Sequence, residues 1–192
     1  GTQMLSKGHD FPKVTLCVIL NADGGLISPE INALEKISQQ LIQVSGRAGR
    51  NNNLAKVIIQ TRYPDDVNLK QIKTGDYQLV ANQCLSINKN LGLPPYSSIC
   101  ILRTTSINPK SCLDFLNRAS LTLDNRKGIS IIGPLPSIPL KIKGNIRNHL
   151  VIKSPTKTYL NRVLTFLIKE FEVWPESKKV KWSFDIDPYD MS

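Results

Sequence analysis

The chain has 192 residues, is 41% apolar and carries a formal net charge of +10 at pH 7. That length can bury one large core or two small ones. No run approaches the roughly eighteen uninterrupted apolar residues of a membrane span, and no basic-then-apolar signal segment opens the chain. Cys17, Cys84, Cys100 and Cys112 are scattered and form no CxxC pair. Their spacing predicts a reduced, cytoplasmic chain whose thiols act as small hydrophobes, with no zinc site within it. The first residue, Gly1, falls inside what reads as a motif, so the chain is expected to be a piece of a longer protein.

Val14–Leu20 is an apolar run rich in β-branched residues and predicts a strand buried on both faces. Asn21–Gly25 reads as a polar turn. Ser28-Pro29 supplies an N-cap and a first-turn proline. Ile31, Leu34, Ile37, Leu41 and Val44 then recur at helical spacing, which predicts a helix from about residue 29 to 45. A second strand is expected over Lys56–Thr61, and one or two helices over residues 67–91. Strand, helix and strand in this order fit part of a parallel α/β sheet.

The paired prolines of Leu91-Gly92-Leu93-Pro94-Pro95-Tyr96 force an extended exit from the preceding helix. They predict a domain boundary between residues 93 and 94, giving domains 1–93 and 94–192. Past it come a strand at Ser97–Thr104 and a helix capped by Asn108-Pro109, with Leu113, Leu116, Ala119 and Leu123 on one side. Two proline-broken extended segments follow, Ile129–Ile132 and Leu140–Ile142. Gly144-Asn145 turns into a strand at Arg147–Lys153. Ser154-Pro155 is read as the cap of a helix whose stripe is Leu160, Val163, Leu164, Leu167 and Phe171, and Lys179–Ile186 as the last strand. The order is βαββαβ, which predicts a small ferredoxin-like α+β domain.

Charge is unevenly spread. From Asn125 through Lys169 there are nine Lys or Arg and no Asp or Glu. Such a stripe is either an electrostatic footprint for a polyanion or a solubilising surface. A second concentration lies in Gln43-Val44-Ser45-Gly46-Arg47-Ala48-Gly49-Arg50. Arg47 and Arg50 sit three apart, so both guanidinium groups can approach one target, and the glycines beside them allow close approach of another backbone. Arginine's planar fork of donors matches phosphate oxygens, which suits a finger aimed at charge developing in phosphoryl transfer. The same turn also closes ordinary helices, where arginine favours the C-terminal end. At the N-terminus Thr2, Gln3, Lys7 and His9 precede the first strand, where loops of open α/β sheets bind ligands. They offer short donors and a cation for a phosphodiester backbone.

Gly1-Thr2-Gln3-Met4 with Lys7-Gly8-His9 and Phe11-Pro12 resembles helicase motif V, and Gln43 through Arg50 resembles motif VI, of superfamily-two nucleic-acid motors. The similarity is closer to one family, the PriA-type replication-restart DNA helicases (primosomal protein N′ family). It extends through Leu93-Pro94-Pro95-Tyr96, Ile132-Gly133-Pro134-Leu135-Pro136, Lys179-Val180-Lys181-Trp182 and Asp185-Ile186-Asp187-Pro188, and so covers essentially the whole chain.

The resemblance implies part of a RecA-like second motor lobe followed by the family's basic C-terminal domain. It implies an ATP-dependent 3′ to 5′ DNA helicase that reloads the replication machinery at stalled forks in the bacterial cytoplasm, at the nucleoid. Gln43, Gly46, Arg47 and Arg50 would then act on ATP held by a first lobe. Thr2, Gln3, Lys7, Gly8 and His9 would contact the translocating strand. ATP, magnesium and the family's zinc would be held by segments upstream of Gly1, and this piece alone is expected to be inactive. In the C-terminal domain Lys141, Lys143 and Arg147 flank the hairpin turn and are read as contacts to forked or single-stranded DNA. Lys157 is read as a contact to a partner's acidic tail, such as that of single-stranded-DNA-binding protein, among other primosome components. Lys153, Lys157 and Arg162 lie around the start of the last helix.

The other candidates carry less. Trp174 and Trp182 either stack on bases or pack in the core, and the apolar strand around Trp182 favours packing. His149 reads as structural or surface, and Asp185, Asp187 and Asp190 as a polar tail end. A stand-alone nucleic-acid-binding module with a degenerate motor lobe, and a motor acting on RNA or other DNA structures, are the rival readings.

Overall fold

A computed structural model describes residues 15–26, 32–45 and 56–189. The chain divides into two compact units, Gly1–Ile87 and Asn88–Ser192. In the first, β1 (Leu16–Ile19) pairs in parallel with β2 (Lys56–Ile59), with Leu16 opposite Lys56 and Ile19 opposite Ile59. Between them lie α1 (Asp23–Leu26) and α2 (Ala33–Ser45); α3 (Val67–Lys73) and α4 (Tyr77–Leu91) follow. Leu41, Leu69, Ile72 and Val80 form the buried core, joined by Ile19, Ile37 and Ile59. The ends of the two strands are tied together. The Ala22 amide donates to the Gln60 carbonyl at 3.1 Å, and the Asp23 carboxylate accepts from the Arg62 amide at 3.1 Å.

Two expectations change here, and a third falls on residues that are not described. Asn21–Gly25 is not wholly a turn, because α1 begins at Asp23. Ser28, Pro29 and Ile31, expected at the start of the helix, lie outside the described residues, and α2 is described from Ala33. And β1 is not buried on both faces. Cys17 and Ile19 turn inward, while Leu16 is 52% and Val18 48% exposed, continued across the pair by Ile58 at 50%. Among the described residues the sheet has two strands with helices on one side, and such a sheet alternates inside and outside along each strand, whatever its composition.

The second unit holds β3 (Ser98–Ser106), α5 (Pro109–Asp124), β4 (Ser130–Ile142), β5 (Asn145–Ser154), α6 (Lys157–Val173), a 3-10 turn at Pro175–Lys179 and β6 (Lys181–Ile186). The four strands form one antiparallel sheet in the order β4-β5-β3-β6. One face packs on α5 and α6. Cys100 and Leu102 of β3, with Leu150 and Ile152 of β5, meet Phe115, Leu116, Leu160, Leu164, Leu167 and Phe171 from the helices. Strand alternation sends Ile99, Ile101, Arg103 and Thr105 to the face opposite α5 and α6, where Ile99 and Ile101 are also buried.

Asn108 caps α5 as expected, its Oδ1 accepting from the Lys110 amide at 3.0 Å. The cap of α6 is Thr156 rather than Ser154-Pro155. The Thr156 hydroxyl accepts from the Tyr159 amide at 3.2 Å, while the Ser154 hydroxyl donates to the Thr156 carbonyl at 3.1 Å. The last strand starts at Lys181, after the 3-10 turn, instead of Lys179.

The largest departure is β4. Two short segments were expected, and one 13-residue strand is found, with register shifts between Ile132 and Leu135 and between Pro136 and Lys141. Prolines are tolerated because β4 is an edge strand, where half the backbone amides face no partner. Gly133 allows the first shift. Its φ is +116°, and a Cβ there would lie 3.0 Å from the Leu135 nitrogen and 3.1 Å from the His149 carbonyl oxygen.

Candidate nucleic-acid interface

Strand β5 carries the acid-free stripe through the middle of the sheet, and its register decides which cations meet. Ile142 pairs with Asn145 and Lys141 with Ile146, so the β4–β5 connection is the two-residue turn Lys143-Gly144. Both turn residues have positive φ, +47° and +84°, as the twist-matched hairpin turn requires. Glycine fits this conformation, whereas a lysine there costs about 1 kcal/mol. Lys143 therefore stands at the tip at a conformational cost.

Lys141, Lys143 and Arg147 all lie at this end of the sheet, but not on one surface. Lys141 is opposite Ile146 and shares its face, while Arg147 is the next residue along β5 and points the other way. Arg147 Nη1 also donates to the Pro139 carbonyl at 3.5 Å. Among the described residues, none of the three is joined to a carboxylate. Thr105 pairs with Arg147 on one side and with Lys181 on the other. Lys181 thus joins Arg147 on the face opposite α5 and α6, two strand spacings (about 10 Å) away. Sequence reasoning missed it, since only sheet order brings residues 147 and 181 into one row; its alternate position along β6 was the available signal.

The rest of the stripe is spread out. Lys153 is six residues further along β5 than Arg147, about 20 Å away, and its Nζ donates to the Leu91 carbonyl at 3.1 Å. Arg126 lies over the Phe166 ring, 3.8 Å from the centroid. Arg162 and Lys169 are exposed on α6. Lys157, at the first position of α6, holds the Asp187 carboxylate at 2.6 Å. A cation at a helix N-terminus opposes the helix dipole, and Asp187 offsets this. The Lys157 ammonium is thus already paired within the chain.

The carboxylates expected as a polar tail are built in. Asp185 lies in β6, and Arg103 grips it through Nη2 at 3.0 Å and Nε at 3.3 Å. Asp187 serves Lys157, and Asp190 lies outside the described residues. The tryptophans are core. Trp174 is buried, and with Trp182, Phe115, Phe171 and Phe184 it forms one aromatic cluster with centroid separations of 4.7 to 6.5 Å. Arg118 packs over Trp174 at 4.5 Å and pairs with Glu176 at 2.8 Å.

His149 is buried in β5, and its Nδ1 shares a hydrogen bond with the Ser137 hydroxyl at 3.1 Å. Burial, then the nearby Arg103 and Arg147, hold the imidazole below its ordinary pKa. It ties the bulged part of β4 to the centre of the sheet in neutral form. The four cysteines are free. Burial pushes the Cys100 thiol up to about 12 and raises Cys84 and Cys112, so these behave as unreactive hydrophobes.

Of the residues expected to face a nucleotide, Gln43 is exposed on the last turn of α2. Gly46, Arg47 and Arg50 lie outside the described residues, as do Thr2, Gln3, Lys7, Gly8 and His9. Among the described residues no helix is long and apolar enough to cross a membrane. Nor does any group of three or more His, Cys, Asp or Glu among them come together as a metal site.

The family model described as the primosomal protein N C-terminal domain matches residues 89–189. Replication restart protein PriA of Haemophilus influenzae is 34% identical over 200 residues, an alignment covering 100% of this chain and 26% of that protein. The protein of the same name from Bacillus subtilis is 34% identical over 198 residues, covering 100% and 24%. That of Rickettsia felis is 32% identical over 188 residues, covering 98% and 28%. The chain spans about a quarter of the length of these curated relatives. Among solved structures, a de novo designed protein, Foldit4, overlays 47% of this chain and 94% of its own length at a TM-score of 0.37 and 11% identity, too slight a likeness to bear on the fold.

Proposed function

This chain belongs to the primosomal protein N C-terminal domain family, and from that membership we propose that it is the C-terminal part of an ATP-dependent 3′ to 5′ DNA helicase that restarts stalled replication forks. The observation that carries the DNA-binding side of this reading is the cluster of Lys141, Lys143, Arg147 and Lys181 at one end of the second sheet, without carboxylate partners among the described residues. Cations left unpaired in one place are what a phosphate backbone needs, and a merely solubilising surface would intersperse both signs.

The first unit is read as part of a RecA-like second motor lobe. Its parallel pair and crossover helices are consistent with that. Gln43, Gly46, Arg47 and Arg50 would reach ATP and magnesium held elsewhere in the longer protein, and Thr2, Gln3, Lys7, Gly8 and His9 would follow the DNA strand. The second unit is read as ferredoxin-like, for which its element order and the strand order β4-β5-β3-β6 are the support. We place the boundary between the domains at Leu93 and Pro94. Single-stranded-DNA-binding protein and primosome components are the proposed protein partners. Lys157 could meet an acidic tail only by giving up Asp187.

In the full-length protein, Arg50→Ala is expected to abolish DNA-stimulated ATP hydrolysis while ATP binding is retained; near-normal turnover would remove the finger role. Replacing Lys141, Lys143 and Arg147 by Ala should weaken fork binding and lower the slope of log affinity against log salt by about 2 to 3, as loss of three phosphate contacts requires. An unchanged slope would reduce the cluster to a solvated surface.

A further inference from the structure

The cations at the hairpin end are interleaved with bare aliphatic side chains. Ile138 is 77% exposed, Leu140 47% and Ile142 44%, all near the tip of the edge strand β4. Water disfavours three large apolar groups gathered at one projection, and a surface kept only for solubility would not put them there. The hairpin also carries a cation on each face, Lys141 beside Ile146 and Arg147 on the reverse, with Lys143 at the turn between them.

Charge selects the class of occupant. Lys141, Lys143 and Arg147 stand at this hairpin with no Asp or Glu in the sequence from Asn125 through Lys169, so the partner is a polyanion. An intact duplex suits only part of the hairpin. Its base faces are stacked inside, so the aliphatic tip would stay wet, and one backbone could serve only one face. A point where two strands part supplies both missing features. Two phosphate backbones diverge there, one for each face of a two-stranded ribbon, and the last base pair presents an unstacked apolar face between them.

The hairpin is also stiffened as an inserted element must be. Pro134, Pro136 and Pro139 fix backbone angles along β4. Ser137 is pinned to the buried His149 at 3.1 Å, and Arg147 braces the Pro139 carbonyl.

We propose that the β4–β5 hairpin is a wedge for the junction of duplex and single strands. Ile138, Leu140 and Ile142 pack on the terminal base pair, and Lys141 and Arg147 hold the phosphates of opposite strands. This rests on the reading that the hairpin end binds DNA, and deepens it by naming the DNA feature recognised.

The test uses the 192-residue chain and a forked oligonucleotide with 2-aminopurine in the junction base pair, whose fluorescence rises when it unstacks. A second fork carries the label in the middle of the duplex. Saturating chain is expected to raise the junction signal and leave the internal one unchanged. Ile138→Ser combined with Leu140→Ser and Ile142→Ser should abolish the rise at saturating chain and weaken fork affinity less than loss of the three hairpin cations does, with the fold kept because exposed sites are replaced. Ile138→Ser alone, the mildest change, should reduce it. Lys141→Ala with Lys143→Ala and Arg147→Ala should weaken affinity by about ten-fold or more at fixed salt. A junction signal that the serine variants leave untouched overturns the wedge but not DNA binding. The same holds if binding occurs with no rise at all, as for a ribbon lying in the major groove. Failure of the unaltered chain to bind any fork overturns both readings.

Discussion

In β3 of the second unit Ile99, Cys100, Ile101 and Leu102 are all fully enclosed, whereas in β1 of the first unit Leu16 and Val18 stay about half exposed. Both strands are aliphatic and β-branched, so composition does not make the difference. Neighbours do. β3 is central in a four-stranded sheet with β5 and β6 on either side, and it packs on α5 and α6. Among the described residues β1 has one strand partner, and Leu16 and Val18 on one of its faces are half exposed. A strand sequence signals a capacity for burial, and the number of elements around it sets how much of that capacity is used.

The contrast is open to attack most strongly through the aromatic core. Phe171→Ala should destabilise the second unit by about 3 to 5 kcal/mol, because it opens a cavity among Phe115, Trp174, Trp182 and Phe184. Val18→Ser, on the open face of β1, should cost at most about 0.5 kcal/mol. Both tryptophans lie in the second unit, so urea unfolding followed by their fluorescence reports that unit alone. Far-ultraviolet circular dichroism reports both, and its transition is expected to begin at lower urea. Coincident curves would mean that the two units unfold together and that the difference in burial has no thermodynamic consequence.

Acid should act next, and on the second unit. The pKa of His149 in the folded chain is depressed, so the unfolded chain binds the extra proton first. The stability that neutral His149 contributes is complete above about pH 6.5 and is lost as pH falls below it towards the lower folded value. Besides Ser137, the charged groups near this imidazole are Arg103 and Arg147, with Asp185 engaged by Arg103. Tryptophan-monitored unfolding midpoints should therefore drop between pH 7 and pH 5, and His149→Gln should flatten that drop. An equal drop in the variant would assign the acid sensitivity elsewhere.

The smallest expected effect has opposite signs for stability and binding. Lys143→Asn puts a residue that tolerates positive φ into the turn, and should stabilise the second unit by about 0.5 to 1 kcal/mol. The same change removes a tip cation and should weaken fork binding measurably. A variant that gains stability without losing affinity would show that Lys143 has no part in holding DNA.

Much of this was legible in the sequence where the signal is local. Helical spacing of Leu160, Val163, Leu164, Leu167 and Phe171 marked the buried stripe of α6, and Asn108-Pro109 marked the start of α5. The Gly144-Asn145 turn signal located the hairpin and its three flanking cations, one residue away from the observed Lys143-Gly144 turn. Less legible were features that depend on distant partners. The prolines of residues 134 to 139 looked like strand breakers, because nothing local reveals that β4 lies at a sheet edge. Asp185 and Asp187 looked like a free acidic end, because Arg103 and Lys157 are 82 and 30 residues away in sequence.

The sequence by itself determined the family, the succession of elements in the second unit and the place of its positive charge. These follow from residue type, period and short-range turn chemistry. Only the tertiary structure decided which charges remain available. Strand register set Lys141 and Arg147 on opposite faces, brought Lys181 into the row of Arg147, and paired Lys157 with Asp187. The reason is geometric: a side chain's face and neighbours are fixed by hydrogen-bonded register across strands far apart in the chain, and a linear pattern does not contain that register.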